Sequence, residues 1–223
     1  MNTKENHITS FCSISSGRVN INHSLSFSEE PTLAPPLSAE ASAKADDFLK
    51  SVYKHYQLNY AKFYKMDNLC KLAFITSELV LKNNPLSQKY KAEDIAIVIS
   101  NSASSMDIDQ EHQRTISDKN NYFPSPSAFV YTLPNILIAE IAIKNKMMGE
   151  NAFFIFESFD SSFMSEYVNS LLNTGKAACC IAGWVDFYNE NYQACLYTVE
   201  KQSGILNTKH RSEELEKLFL HLS

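Results

Sequence analysis

Thr132-Leu133-Pro134-Asn135-Ile136-Leu137-Ile138-Ala139-Glu140-Ile141-Ala142-Ile143 is the stretch whose reading decides the fold. Pro134 has no N–H to lose and a φ already set for a first turn, so it suits a helix start with Thr132 or Leu133 as cap. The helix this predicts runs to about Lys146, with Gly149 closing it. Being apolar nearly all round, it belongs against a sheet or a subunit and not half in water. Ala152 to Phe156, just after it, reads as a strand. Upstream, Asp94-Ile95-Ala96-Ile97-Val98-Ile99-Ser100 is a continuous β-branched run, which predicts a strand covered on both faces. Strand, buried helix and strand form the crossover unit of an α/β layer.

The same pattern extends in both directions. Leu69, Leu72, Ala73, Thr76, Leu79 and Val80 share one face of a helix predicted over Asp67 to Lys82, stopped by Asn83-Asn84-Pro85. Ahead of it, Ala41, Ala45, Phe48, Leu49, Val52 and Tyr53 recur at helical spacing from Glu40, with Ser38 as N-cap. A polar stretch with Pro31, Pro35 and Pro36 separates that helix from a first strand, His7 to Ile14, which ends at Ser15-Ser16-Gly17. On the C-terminal side, Phe163, Met164, Tyr167, Val168, Leu171 and Leu172 define a helix from Ser161 to near Gly175. Two buried strands follow, Ala178 to Val185 and Gln193 to Val199, and then a last helix from about Glu213 to Leu222. Asn101 to Asn121 reads as a polar loop, and Tyr122, Phe123, Phe129 and Tyr131 as a packed aromatic loop. The order predicts one α/β domain with a mixed, largely parallel sheet covered by helices.

Composition narrows the function. The 223 residues carry 20 Lys and Arg against 25 Asp and Glu, a formal charge of -5, and no basic run of the kind that binds a phosphate backbone. Nucleic acid is therefore not an expected partner. Only five glycines are present, and neither GxGxxG nor GxxxxGK[ST] occurs, which argues against phosphate-cradling nucleotide sites. Cys12, Cys70, Cys179, Cys180 and Cys195 show no CxxC spacing and lie mostly in apolar segments, as reduced packing residues do. The six histidines never pair at HxH or HxxxH spacing, so neither a metal nor any other cofactor is expected. The N-terminus lacks the apolar core of a secretory signal, and Leu133 to Ile143 is far shorter than the ~20 residues of a membrane span. A cytoplasmic location is the expectation.

Leu133-Pro134-Asn135 through Ile143, followed by Gly149-Glu150-Asn151, resembles the "PN-x-x-A-G-x-I-A-I … G-P-N" line of the β-ketoacyl-acyl-carrier-protein synthases. Ile8 to Ser15, Ile95 to Ser100, Ile181-Ala182-Gly183 and Ala194 to Glu200 resemble other strands of that family in the same order, so the likeness covers residues 7 to 201. It implies a thiolase-like fold, of which this chain would be the N-terminal half (βαβαβαββ): a synthase-like domain over 1–201 and a helical tail over 202–223. The family's two C-terminal histidine positions would then be absent. Its nucleophilic cysteine, at the start of the helix after the third strand, falls on Ser158, flanked by Glu157, Phe159 and Asp160 where the family has small residues. Carboxylates there oppose a developing oxyanion.

The resemblance implies a non-catalytic, chain-length-factor-like subunit that pairs with an active ketosynthase, works with an acyl carrier protein and shapes an acyl pocket in fatty-acid, polyketide, aryl-polyene or flexirubin-type synthesis. Phe129, Val130 and Thr132 would lie at the subunit interface, with Pro134, Asn135, Glu140, Glu157 and Phe159 as further pocket or interface positions. Two alternatives stay open. One is a synthase or acyltransferase that uses Ser158, with His112 as a candidate base, or is completed by a second chain; the other is a carrier-protein docking subunit. A half-domain that leaves its usual contact face bare is expected to expose a large apolar surface and to associate obligately.

Overall fold

The structure, a computed structural model, describes residues 5–29, 39–120, 122–201, 206 and 208–220. The expected N-cap Ser38, the prolines 31, 35 and 36, and Leu222 lie outside them. Strand β4 (Ile95–Asn101) is buried at every position, as its unbroken apolar run requires. It lies between β5 (Asn151–Ile155) and β6 (Cys179–Tyr188), parallel to both, with Ile97 opposite Asn151 on one side and Ile181 on the other. Strand β7 (Asn191–Glu200) folds back on β6 from Tyr188↔Asn191 to Cys179↔Glu200 and pairs on its other edge with β1 (His7–Ser15). The two-residue turn between β6 and β7 places Asn189 and Glu190 at φ 46° and 66°, the left-handed backbone that suits the twist of a tight hairpin.

Strands β1, β4, β5 and β6 thus run one way and β7 runs against them, the mixed, largely parallel sheet that the sequence predicts. Strands β2 (Arg18–Ile21) and β3 (Ser24–Ser28) extend it beyond β1 as an antiparallel ribbon that had no counterpart in the sequence reading. The order is β3-β2-β1-β7-β6-β4-β5, with the two-residue β8 (Thr208–Lys209) also on β1.

Helices cover both faces. Ile95, Ile97 and Ile99 point into a core shared with α1 (Ala39–His55), α2 (Asn68–Asn83) and α5 (Ile136–Asn145), while Ala96 and Val98 point into the core under α6 (Ser161–Asn173). Asp67 caps α2 by accepting from the Cys70 N–H at 3.1 Å. Two segments expected as loops are helical. Met106–Ser117 forms α3, a mostly polar helix whose single buried apolar residue is Ile108. Pro126–Tyr131 forms α4, capped by the Ser125 hydroxyl, which accepts from the Ala128 N–H at 3.2 Å. Thr132 therefore ends α4 and does not begin α5; α5 starts after Asn135. Its other end is closed by Lys146 in the left-handed conformation, not by Gly149. Gly149 serves a different need, since a Cβ there would stand 2.4 Å from the Ile95 carbonyl oxygen.

The last helix, α7 (Ser212–Leu220), packs on α6 and buries Leu215 and Leu218 in the second core. The outward positions of α6 are the polar residues Ser162, Glu166, Ser170 and Asn173. The expected apolar face is thus not found on α6. Most of the large exposed apolar side chains fall instead in segments 122–133 and 143–155, including Phe123, Phe129, Leu133, Met148 and Ile155, with Leu25, Tyr64, Met106 and Leu220 elsewhere.

Two measurements check this account. A Cβ on Gly183, at φ 146°, would stand 2.0 Å from the Cys195 carbonyl oxygen of the paired strand. Gly183→Ala is expected to cost on the order of 3 kcal/mol or more in urea unfolding, against about 1–2 kcal/mol for Gly175→Ala, where a Cβ meets open space and only the left-handed backbone at φ 77° opposes it. His210, which joins α7 to the body through its N–H to the Asn6 carbonyl oxygen (2.9 Å) and its Nδ1 near Asn169 Oδ1 (3.0 Å), is buried, and burial lowers its pKa to about 3. A depressed folded pKa gives stability that is complete above the unfolded value near 6.5 and is lost as pH falls toward 3. Thermal melts from pH 7 to 4 should show this loss, and His210→Gln should flatten the slope.

Candidate functional site

Because β4, β5 and β6 are parallel, their C-terminal ends meet at one edge of the sheet, where ligand sites of open α/β layers form. The chain leaves β5 at Ile155, passes Glu157, Ser158 and Phe159, and enters α6. From β4 comes Ser102; from β6 come Trp184 and Asp186; α7 supplies Glu216, Phe219 and Leu220. Together they enclose a groove of about 470 Å³. Phe219 stacks on Phe159 with ring centroids 3.8 Å apart and planes within 9°, and both rings stand edge-on to Trp184.

Polar groups in the groove are mostly committed. Asp186 accepts from the backbone N–H groups of Ser102 and Ala103, each at 3.1 Å, and from the Ser102 hydroxyl at 2.5 Å, so it fixes the loop leaving β4. Glu216 accepts from the Ser161 hydroxyl at 3.0 Å. Asp160 caps α6, accepting from the Phe163 N–H at 2.8 Å. Helix N-termini stabilise anions through free N–H groups; here the chain's own carboxylate takes up that capacity. Ser158 is exposed and has no hydrogen-bond partner among the described residues. His112 packs its ring on Phe129, 5.5 Å away on α4. All five cysteines are buried and free, and burial pushes every thiol up, Cys195 to about 12. None is poised as a thiolate. Among the described residues no group of three or more His, Cys, Asp or Glu side chains is placed to hold a metal ion, and no helix is long and apolar enough to cross a membrane.

Of the candidate residues, the structure brings Glu157, Ser158 and Phe159 together. Phe129, 63% exposed, and Val130 lie on the outer side of α4 and do not line the groove. Thr132 turns inward: its hydroxyl donates to the Phe129 carbonyl oxygen (2.8 Å) and its carbonyl oxygen accepts from Ser105 (2.8 Å). Pro134 and Asn135 form the turn before α5, where the Asn135 carbonyl oxygen accepts from the N–H groups of Ile138 and Ala139. Glu140 is inside the chain, 2% exposed, paired with Lys62 Nζ at 2.5 Å and accepting from the Tyr60 hydroxyl at 3.3 Å. That hydrogen bond, with Glu140's charge, holds the Lys62 pKa above its usual value. Trp184, Asp186, Glu216 and Phe219 were missed. The one signal for them was that Trp184 is the chain's single tryptophan, in a strand of smaller residues.

No protein-family model matches the sequence, and no curated protein does. Solved structures do. "The ishigamide ketosynthase/chain length factor" superposes with a TM-score of 0.62 at 14% identity, over 92% of this chain and 64% of that one. The fold is that of ketosynthases and chain length factors. A ketosynthase (ApeO) in complex with its chain length factor (ApeC) from Xenorhabdus doucetiae matches at 0.57 and 13% identity over 98% of this chain and 91% of the matched one. A type II polyketide acyl-carrier protein in complex with its ketosynthase (AntDE:AntF) matches at 0.57 and 11% identity, over 89% of this chain and 63% of that one. The chain therefore spans just under two thirds of two of these ketosynthase-fold chains, and nearly the whole of the third. This is the thiolase-like fold that the resemblance implied.

Glu140 gives a directional prediction. Removing Lys62 leaves a buried carboxylate uncompensated, whereas Glu140→Gln removes the charge and keeps an acceptor. Lys62→Ala is expected to cost about 3 kcal/mol and Glu140→Gln about 1 kcal/mol in chemical denaturation. The opposite order would show that Glu140 is not an internal anchor.

Proposed function

We propose that this chain is a non-catalytic ketosynthase-like subunit that pairs with an active β-ketoacyl-carrier-protein synthase and limits how its acyl pocket is shaped. The observation that supports this reading is the start of α6: Ser158, the position the resemblance gives to the family's nucleophile, has no hydrogen-bond partner among the described residues, and Asp160 caps the helix by accepting from the Phe163 N–H. The match to a chain of similar length in a complex of a ketosynthase with its chain length factor supports it.

Two surface features support a partner. Strand β5 ends the sheet, with one edge unpaired among the described residues and with Asn151 and Ile155 exposed. An unprotected edge strand is a template for another chain. Phe129 and Val130, exposed on α4, offer apolar contact outside the groove, and an acyl carrier protein would meet the assembled pair.

Purification through a tag on this chain, co-expressed with an active ketosynthase from the same organism, should yield a stoichiometric complex. In that complex Ser158→Ala is expected to leave turnover unchanged, while Phe129→Ala shifts product length. Loss of turnover with Ser158→Ala would favour the enzyme reading, and a chain that elutes alone as a folded monomer would sink the partner model.

A further inference from the structure

Asp67 stands where three helices meet. Its carboxylate caps α2 by accepting from the Cys70 N–H. The cavity beside it, about 330 Å³, is walled by Asp46 of α1, Lys71 of α2, and Asp107, Ile108 and Glu111 of α3. Lys71 is the one cation among the described lining residues, and its ammonium is bound to Asp46 at 2.5 Å, where Lys50 joins it. Cys70 and Tyr131 also lie within the field of Asp67, and Glu140, paired with Lys62, acts on both. Three carboxylates, Asp67, Asp107 and Glu111, therefore share this space with a lysine already committed to a fourth.

What Asp67 meets across the cavity is the most lightly attached part of the body. Helices α3 and α4 pack on each other, and of their residues only Ile108, Ala128 and Tyr131 are buried in the core. Their ties to the β6–β7 hairpin are polar: Asp107 accepts from the Asn189 N–H at 3.2 Å, and the Gln110 amide donates to the Tyr188 hydroxyl at 3.0 Å. Asp107 and Glu111 are four residues apart, so one side of α3 turns both charges toward the same place.

We propose that the start of α2 is a proton-operated latch: with Asp67 protonated α3 and α4 dock firmly on the body, and with Asp67 ionised its charge opposes Asp107 and Glu111 across the cavity and loosens them. Burial raises the Asp67 pKa to about 6, the charge of Asp107 adds to the rise, and the Cys70 hydrogen bonds and Lys71 oppose it. Burial also raises Asp107. A carboxyl whose pKa is higher in the docked state takes up a proton on docking. The added docking strength is complete below the ordinary value of 3.8 and is lost as pH rises through about 6. The latch does not rest on the pairing with a ketosynthase, although Phe129 and Val130 ride on the helix it holds.

Hydrogen–deuterium exchange of the whole chain tests it, corrected for the intrinsic pH dependence of exchange, over Met106–Ser117 with Ser161–Asn173 as internal reference. Relative to that reference, α3 is expected to be about 10-fold better protected at pH 5.0 than at pH 7.5, as a shift from 3.8 to about 6 requires. Asp67→Asn keeps an oxygen for the Cys70 N–H and removes the titration, and should bring the change to under ~2-fold. Asp107→Asn should shrink it. Carboxyl-carbon NMR of the wild-type chain, which needs no variant to fold, should place the Asp67 inflection near 6. A wild-type change below ~3-fold, a change in Asp67→Asn as large as in the wild type, or an Asp67 inflection at its ordinary value would each overturn the latch.

Discussion

Everything in this molecule accommodates the placement of β7 between β1 and β6. Its antiparallel pairing with both strands joins residues 7–15 to residues 179–200 and so closes the sheet across almost the whole chain. The pairing brings Thr9, Thr198 and Glu200 to one buried spot. There the Asn84 amide nitrogen, at the end of α2, stands 2.9 to 3.1 Å from an oxygen of each of the three, with two hydrogens to share among them, and Lys89 and Tyr90 close the cluster over Glu200. A buried carboxylate is tolerable only with such donors around it. The polar cluster thereby fixes where α2 leaves the sheet, and α2 in turn orders the larger of the two cores.

The sheet's two faces are finished differently. Toward α1, α2 and α5 the cover is thick and aromatic, with Tyr53 stacked on Phe63 at 4.0 Å and Phe74 beside them. Toward α6 the cover depends on α7, held by His210, Ser212 and Glu216 and sealed by Phe219. That short helix packs beside α6 and adds Leu215 and Leu218 to the core beneath it, while the residues α6 turns to water are polar. The same helix walls the groove, so the element that completes the half-length fold also defines what the groove can hold.

Chemistry at the strand ends follows from these placements. The crossover from β5 to α6 sets Ser158 where a nucleophile would profit from the helix N-terminus, but Asp160 has taken the donors and Glu157 adds a second negative charge. Aromatic rings and carboxylates line the groove, and among the described residues no histidine lines it.

Much of this was legible in the sequence. The β-branched run at 95–99, the apolar helix at 136–143, the capped helix from Asp67 and the paired strands near 180 and 195 have one-dimensional signatures, because period and capping act locally. Asp160 likewise read as a capping residue ahead of the helix at 161, and it caps α6. The reading missed α3, which is amphipathic but has few apolar residues to mark it, and the β2–β3 ribbon, whose exposed alternation is weak. Nor could it place Glu140: an acid in an apolar helix reads as an interface residue until Lys62 and Tyr60, some 80 positions away, are seen to meet it inside. The groove is the clearest case. Ser102, Ser158, Trp184 and Phe219 are far apart along the chain, and only the shared direction of three parallel strands and the docking of α7 set them around one space.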